Sequence, residues 1–217
     1  QGPGYASIQI NSVSKTLRDR TTSGTLVARS AAYHSWEINI AYNPMTKEEF
    51  APIYGFLLEK QGSLKPFYVA IPQYDTLQNS SFATYAASNN LETITSYNSG
   101  AISMILDGPN SYTHTSNGTP LPGDMFTISS TNSNHKKAYK VTRVETSALN
   151  QGTTPAPSGT GQVKIHFAPA LQKDVENNAD IVFHSPKVKV IQKDDVFSYS
   201  LGPNNLYSFG LSLEEVQ

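Results

Sequence analysis

The alternation of apolar and polar residues predicts a chain built mainly from short β-strands. In residues 36–42 every second side chain is large and apolar, namely Trp36, Ile38, Ile40 and Tyr42. A strand places alternate side chains on opposite faces, so this period gives one apolar face. The same period occurs at residues 7–13, 67–71 and 206–216. All four segments are therefore predicted to be strands that pack one face against a core.

One helix is predicted between the second and third of these strands. Thr46 and Glu49 have the spacing of a capping box. An apolar stripe at helical spacing follows, formed by Phe50, Ile53, Tyr54 and Leu57. Gly62 is a natural stop. Pro52 lies beyond the first turn, so we expect a distorted first turn or a later start of the helix.

The chain changes character after Pro72. Residues 73–118 are rich in Ser, Asn, Thr and Tyr, and short apolar strands separated by turns continue to about residue 195. This pattern predicts a small β-barrel or β-sandwich. Because the apolar strand pattern returns at the C-terminus, we predict a base domain of residues 1–72 and 196–217 with a domain of residues 73–195 inserted into it. The fold class is mainly β with one helix, and the base domain is of the sandwich or barrel type.

The amino-acid composition of the chain argues against some classes of binding partner. Only 15% of the residues are charged and the net charge is -1, which argues against a sequence-specific nucleic-acid surface. The absence of cysteine excludes disulfides and thiolate metal sites. No apolar run approaches the roughly 18 residues that would indicate a membrane-spanning helix, and the first residues do not resemble a signal peptide. We therefore expect neither a nucleic-acid nor a membrane partner.

Motifs for catalysis, cofactors and metals are missing from the sequence. It contains no GxSxG, Walker-type or dinucleotide-binding pattern. The five histidines are too widely spaced for a short metal-ligand pair: His34, His114, His135, His166 and His184. A hydrolase would need two carboxylates from distant positions, and nothing in the sequence selects such a pair. We therefore predict no catalytic, cofactor or metal site, and a protein that is not an enzyme.

Three blocks of sequence, taken in order, resemble the distal tail proteins of tailed bacteriophages, in particular the minor tail protein M type of lambda-like phages. These blocks are WEINIAY, KEEFAPIYGFLLEKQGSLKPFYVAIP and LYSFGLSLEEVQ. The large segment at residues 73–195 departs from the short M type. Its pattern LPGDMFTI, KAYKVTRV, GQVKIHFAPAL and IVFHSP resembles the second β-domain of longer tail-tip proteins.

This resemblance implies a structural protein of the virion tail tip or baseplate, made in the host cytoplasm. The family forms a six-fold ring that joins the tail tube to the tail-tip hub and surrounds a channel for DNA. The expected partners are therefore other copies of the chain in a homohexamer, the tail tube protein, the hub and other minor tail proteins.

Two groups of residues each have two interpretations. Residues 16–29 form either a solvated hairpin or, by the resemblance, an arm that reaches a neighbouring subunit. The candidate interface residues are Arg18, Arg20, Arg29, Trp36 and Tyr42. In the insert, Tyr74, Tyr85, Tyr97 and Tyr112 either cover its core or stack on a ligand. Stacking would make the insert a carbohydrate-binding β-sandwich that helps the particle adsorb to its host, which is the alternative function.

Overall fold

The computed structural model of the protein describes residues 4–130, 135–149, 152 and 154–216, apart from the side chains of residues 30–32. The chain forms two compact units, one of Gln1–Phe67 with Lys189–Val216 and one of Tyr68–Val188. Whether the chain divides into independently folding domains at residues 72 and 196 stays a prediction. In the described residues no helix has the length and apolar character needed to cross a bilayer.

The described elements are mostly strands. They are β1 (Tyr5–Arg20), β2 (Leu26–Tyr42), β3 (Phe67–Ala70), β4 (Leu91–Thr93), β5 (Ser103–Asp107), β6 (Met125–Ser129), β7 (Ala138–Glu145), β8 (Val163–Ala168), β9 (Asp180–Val182), β10 (Lys187–Gln192), β11 (Tyr199–Leu201) and β12 (Tyr207–Glu215). Two α-helices, α1 (Lys47–Lys60) and α2 (Ser80–Ala86), and a 3-10 turn at Pro72–Tyr74 complete them. The mainly β class predicted from the alternating pattern is confirmed.

The first sheet brings together strands from both ends of the chain. Its order is β1-β2-β12-β10-β3, and β11 pairs with another part of β12. Strands β2 and β12 are antiparallel, with Ile40 opposite Leu211 and Ile38 opposite Leu213. All four of these side chains are buried. The apolar faces recognised at residues 36–42 and 206–216 therefore pair side by side.

Helix α1 packs through Phe50 and Leu57, the two buried members of its predicted stripe. The backbone N–H of Thr46 donates to Glu49 Oε2 at 3.0 Å, as the capping box predicted. The helix begins at Lys47 and continues through Pro52, so the expected later start is wrong. Proline removes one N–H that would otherwise bond to the carbonyl of Glu48. Glu48 is exposed, so water can satisfy that carbonyl.

The second unit contains a closed antiparallel barrel with the strand order β4-β5-β8-β7-β6-β9. This finding selects the barrel from the two predicted alternatives. Its core includes seven aromatic side chains, namely Phe82, Tyr85, Tyr112, Phe126, Tyr139, Phe167 and Phe183. Closing a sheet into a barrel leaves its strands without free edges. The barrel is therefore a finished fold that needs no further strand from a partner.

Helix α2 shows that the expectation of a single helix is wrong. The Asn79 side chain caps it, because its Oδ1 accepts hydrogen bonds from Ser81 N and Phe82 N at 3.1 and 3.2 Å. Phe82, Tyr85 and Ala86 are buried, at the spacing of one helical face. The signal was an Asn cap followed by three apolar positions, and the surrounding Ser and Asn residues concealed it.

Candidate assembly surface

The outer half of the β1–β2 hairpin extends beyond the packed part of the first unit. Every side chain of residues 14–29 is exposed. In the inner half of the hairpin, by contrast, Trp36, Ile38 and Ile40 are buried. We call residues 14–29 the arm. A two-stranded hairpin without a packed face is at best marginally stable in water, so an arm of this length invites a partner.

The backbone of the arm is nevertheless well defined by its turn and its register. Thr21 N donates to Thr25 O at 3.0 Å, and Gly24 N donates to Thr21 O at 2.8 Å. Thr21 Oγ1 also accepts from Thr25 N at 3.1 Å. Gly24 has φ +82°, which glycine adopts without steric cost. Pairing then continues from Arg20 opposite Leu26 to Thr16 opposite Ser30.

Each face of the arm combines apolar and basic side chains. Directly paired residues share a face, so one face carries Leu17, Asp19, Val27 and Arg29, and the other carries Arg18, Arg20, Leu26 and Ala28. Leu17, Leu26 and Val27 are 67%, 56% and 53% exposed. The arm contains four basic residues and one acidic residue, a net charge of +3. Both faces can therefore offer apolar area and positive charge to another surface.

Strand β1 stands at one end of the described sheet order. One side of its backbone therefore presents N–H and C=O groups that no described strand pairs. Exposed edges of this kind are where a strand from another chain adds to a sheet. The inner part of β1 and the arm thus form one continuous candidate surface for assembly.

The remaining predicted interface residues, Trp36 and Tyr42, are less exposed than the arm. Trp36 is 6% exposed, and its ring meets that of His34 edge-on at 4.8 Å. The ring of Tyr42 stacks on Phe209 with centroids 4.5 Å apart. Burial raises the pKa of Tyr42 to about 12. In the isolated chain, therefore, Arg18, Arg20 and Arg29 are open to a partner and Trp36 is not.

A second exposed apolar surface lies around β11, and the sequence reading did not single it out. Val196, Tyr199 and Leu201 are 80%, 47% and 54% exposed. The inner side of the same segment is anchored, since the rings of Phe197 and Tyr199 both contact that of Phe50 on α1. Large apolar side chains held on a fixed backbone are typical of an interaction surface.

The four tyrosines proposed for ligand stacking have different environments. Tyr85 and Tyr112 belong to the core of the second unit, with exposures of 7% and 3%. The Tyr97 hydroxyl accepts a hydrogen bond from Ile105 N at 2.7 Å. Tyr74 lies beneath Lys140, whose Nζ is 5.0 Å from the ring centroid and donates to the hydroxyl at 2.9 Å. Only Tyr74 and Tyr97 keep partly exposed rings.

A buried ionic cluster joins β7 to β8. The Glu145 side chain is fully buried, and its Oε1 lies 2.8 Å from Arg143 Nη2 and 3.0 Å from His166 Nε2. Burial, then the charge of Arg143, lowers the pKa of His166, although Glu145 opposes the shift. The cluster lies beside a register shift between Val141 and Arg143. It satisfies a buried carboxylate and holds the two strands together. In the described part of the chain no three metal-ligating side chains gather.

His135 makes the stability of the second unit sensitive to acid. It is buried, and its Nε2 lies within hydrogen-bond distance of the Tyr139 hydroxyl. Burial first, then the charges of Lys173 and Lys137, lower its pKa to about 4. An unfolded histidine, with a pKa near 6.5, therefore takes up a proton before the folded one does.

The contribution of His135 to stability is accordingly greatest when the pH is above the pKa of the unfolded histidine, and it is lost as the pH falls from about 6.5 towards 4. Between pH 7 and pH 5 this single group should reduce the free energy of unfolding by about 1–2 kcal/mol. Urea titrations at both pH values, for the natural protein and for His135→Gln, measure the difference. An equal pH dependence in the two proteins would contradict the assignment.

The geometry of the arm does not by itself identify a class of protein, but similarity to a known protein does. No family model matches the chain. The distal tail protein pb9 of Escherichia phage T5 is 25% identical to it over 217 residues, an alignment covering 99% of this chain and 93% of pb9. This chain is a relative of distal tail proteins. The resemblance found in the three sequence blocks is thereby confirmed, and it extends through the inserted segment.

The similarity to a distal tail protein supports a structural role in a phage tail and a place in the virion tail. Such a role is consistent with a protein that is not an enzyme. The aligned region includes the arm and the barrel, because it covers nearly the whole of both chains. The alignment with pb9 therefore includes residues of both units.

Proposed function

We propose that this chain forms a closed homohexameric ring at the distal end of a phage tail, where it joins the tail tube to the tail-tip hub around the DNA channel. The observation that carries this proposal is the arm, which is exposed over its whole length in a chain related to distal tail proteins. The tail tube protein, the hub and other minor tail proteins are its proposed partners.

The arm has the physical properties of a segment that is completed by a neighbour. Burying each of Leu17, Leu26 and Val27 against another subunit would contribute about 1.5–3 kcal/mol. Docking would also order a hairpin that is only marginally stable alone, and this entropic cost offsets part of the gain. An arm that reaches from one copy to a different surface on the next makes a heterologous contact, and such contacts close into a ring when the rotation permits.

Charge supports the same arrangement. The arm carries +3, whereas the whole chain carries -1, so the rest of the chain carries -4. An arm of one copy is therefore attracted to the body of another. Complementary charge of this kind speeds encounter and selects the docking register, and its effect weakens as salt is added.

The two units receive different roles in this proposal. The base domain, residues 1–72 and 196–217, provides the arm, the open β1 edge and the β11 surface, and it builds the ring. The inserted domain, residues 73–195, contains a closed barrel with no strand edge to share, so it contributes to other contacts of the tail tip. The chain performs no catalysis in this account, because its work is assembly.

Light scattering over a concentration series tests the oligomeric state. The expected result is a discrete species of six copies of the 23.6 kDa chain. If the purified chain is monomeric, the hub protein is added, because a ring can require a template. A chain that stays monomeric at high concentration both alone and with the hub would contradict the proposal.

A further inference from the structure

A cavity of about 360 Å³ in the second unit has the chemistry of a ligand site. It lies along β6 and the segment just before β7, where Thr127, Ser129 and His135 form part of its wall. Tyr68 and Lys187 complete it from β3 and β10. Its volume is within the range of small-molecule sites, which begins at about 300 Å³. The space suits a ligand the size of a monosaccharide.

The charge lining this cavity has one sign. Lys136 and Lys187 both line it, and none of its lining residues is acidic. Another surface groove of the same unit shows the contrast, because there Lys173 lies with Asp174 and Glu176. Two lysines without a carboxylate partner in the lining make the cavity attractive to an anion, in a chain whose overall charge is slightly negative.

One residue of the cavity wall, His135, is uncharged near neutral pH. Lys137 and Lys173 act on His135 through their charges, and both lower its pKa. Near pH 7 His135 is therefore neutral, and it is fixed in place by the Tyr139 hydroxyl, which also accepts from Gln172 N at 3.1 Å. His135 thus adds no charge to the wall, and Lys136 and Lys187 supply its positive charge. An anionic ligand group would find a preformed positive field.

The other lining groups suit a sugar. Tyr68 is 51% exposed, so its ring can serve as a stacking platform for the apolar face of a sugar ring. Thr127 and Ser129 supply hydroxyl groups that can donate or accept hydrogen bonds with sugar hydroxyls. None of the four tyrosines that the sequence suggested for stacking lines this cavity.

We propose that this cavity binds a sugar carrying an anionic substituent, a phosphate or a carboxylate. Lys136 and Lys187 hold the anionic group, Tyr68 stacks on the sugar ring, and the hydroxyls of Thr127 and Ser129 orient it. The site gives the second unit a binding activity of its own, directed at charged glycans such as those of a cell envelope. It does not depend on ring formation, because all its residues belong to the second unit of one chain.

Binding of glucose 6-phosphate and glucuronate to the full-length protein tests this proposal by calorimetry or NMR titration, with glucose and inorganic phosphate as reference ligands. The natural protein should bind both charged sugars at least tenfold more tightly than glucose. Lys136→Gln with Lys187→Gln should weaken charged-sugar binding tenfold or more. Lys47→Gln, which removes the same charge from an exposed position in the first unit, should leave it unchanged.

The variant Tyr68→Ser tests recognition of the sugar ring separately from recognition of the anionic group. This variant should lose severalfold in affinity for glucose 6-phosphate while its affinity for inorganic phosphate stays the same. Circular dichroism and the unfolding midpoint confirm that each variant is folded. Equal affinity for glucose and glucose 6-phosphate, unchanged binding in the lysine variant, or no binding at tens of millimolar ligand would each overturn the proposal. These binding outcomes test the cavity alone, whatever light scattering shows about ring formation.

Discussion

Replacing residues 17–29 by Asn-Gly is expected to convert the ring into monomers while leaving each monomer folded. Thr16 and Ser30 are paired across the hairpin, so a two-residue turn can connect them directly. All the deleted side chains are exposed, and no packing within the chain is lost. The unfolding midpoint of the monomer should therefore change by no more than a few degrees. Light scattering should show one copy per particle at concentrations where the natural chain gives six.

Two variants that keep the full-length arm measure how much apolar burial and charge each contribute to ring assembly. Changing Leu17, Leu26 and Val27 to Ser should weaken assembly by roughly 5 kcal/mol or more per arm, because each side chain contributes about 1.5–3 kcal/mol when buried. Changing Arg18, Arg20 and Arg29 to Gln should cost less, about 0.2–1 kcal/mol for each exposed ion pair. Only the arginine variant should lose the salt dependence of assembly. A shortened chain that still forms hexamers would show that the arm is not the connecting element.

The second large effect is expected from Phe126→Ala in the barrel core. Phe126 is fully buried, and its ring lies 5.5, 5.6 and 5.4 Å from those of Tyr139, Phe167 and Phe183. Removing a buried aromatic ring leaves a cavity and costs about 3–5 kcal/mol. The milder Phe126→Leu replaces most of the apolar volume and should cost less. Scanning calorimetry measures both losses.

The matched variant in the first unit is Phe50→Ala. Phe50 is 4% exposed and contacts the rings of Tyr54, Phe197, Tyr199, Tyr207 and Phe209. If the chain contains a base domain and an inserted domain, each variant should lower one unfolding transition and leave the other in place. Phe126→Ala should then still form rings. A single transition that both variants shift equally would contradict the division into two domains.

The parts of the fold that sequence could predict are those with a buried face. Apolar and polar residues alternate in segments 36–42 and 206–216 because one face of each strand packs against the core. Helix α1 was predictable from its capping box and its apolar stripe. In the arm both faces are exposed, so no apolar period marks residues 14–20 as a continuation of β1. Helix α2 spans only seven residues, too few to display a clear helical period.

Sites were harder to predict than strands because the residues that form one site can lie far apart in the sequence. Arg18, Arg20 and Arg29 could be selected because they lie close together in one polar segment. Tyr85 and Tyr112 resembled surface residues by their neighbours, yet a helix and a loop bring both rings into one core with centroids 5.0 Å apart. The basic cavity joins Tyr68, residues 127–130, His135, Lys136 and Lys187, and no local pattern links positions so far apart.

Electron cryomicroscopy of the tail tip of the virion tests the ring proposal most directly. The account predicts a closed six-fold ring of this chain between the last ring of the tail tube and the hub, with the arm of each copy lying on the next and the DNA channel through the centre. A tip in which this chain is absent, or is present only as separate copies on the periphery whose arms contact no neighbour, would contradict it.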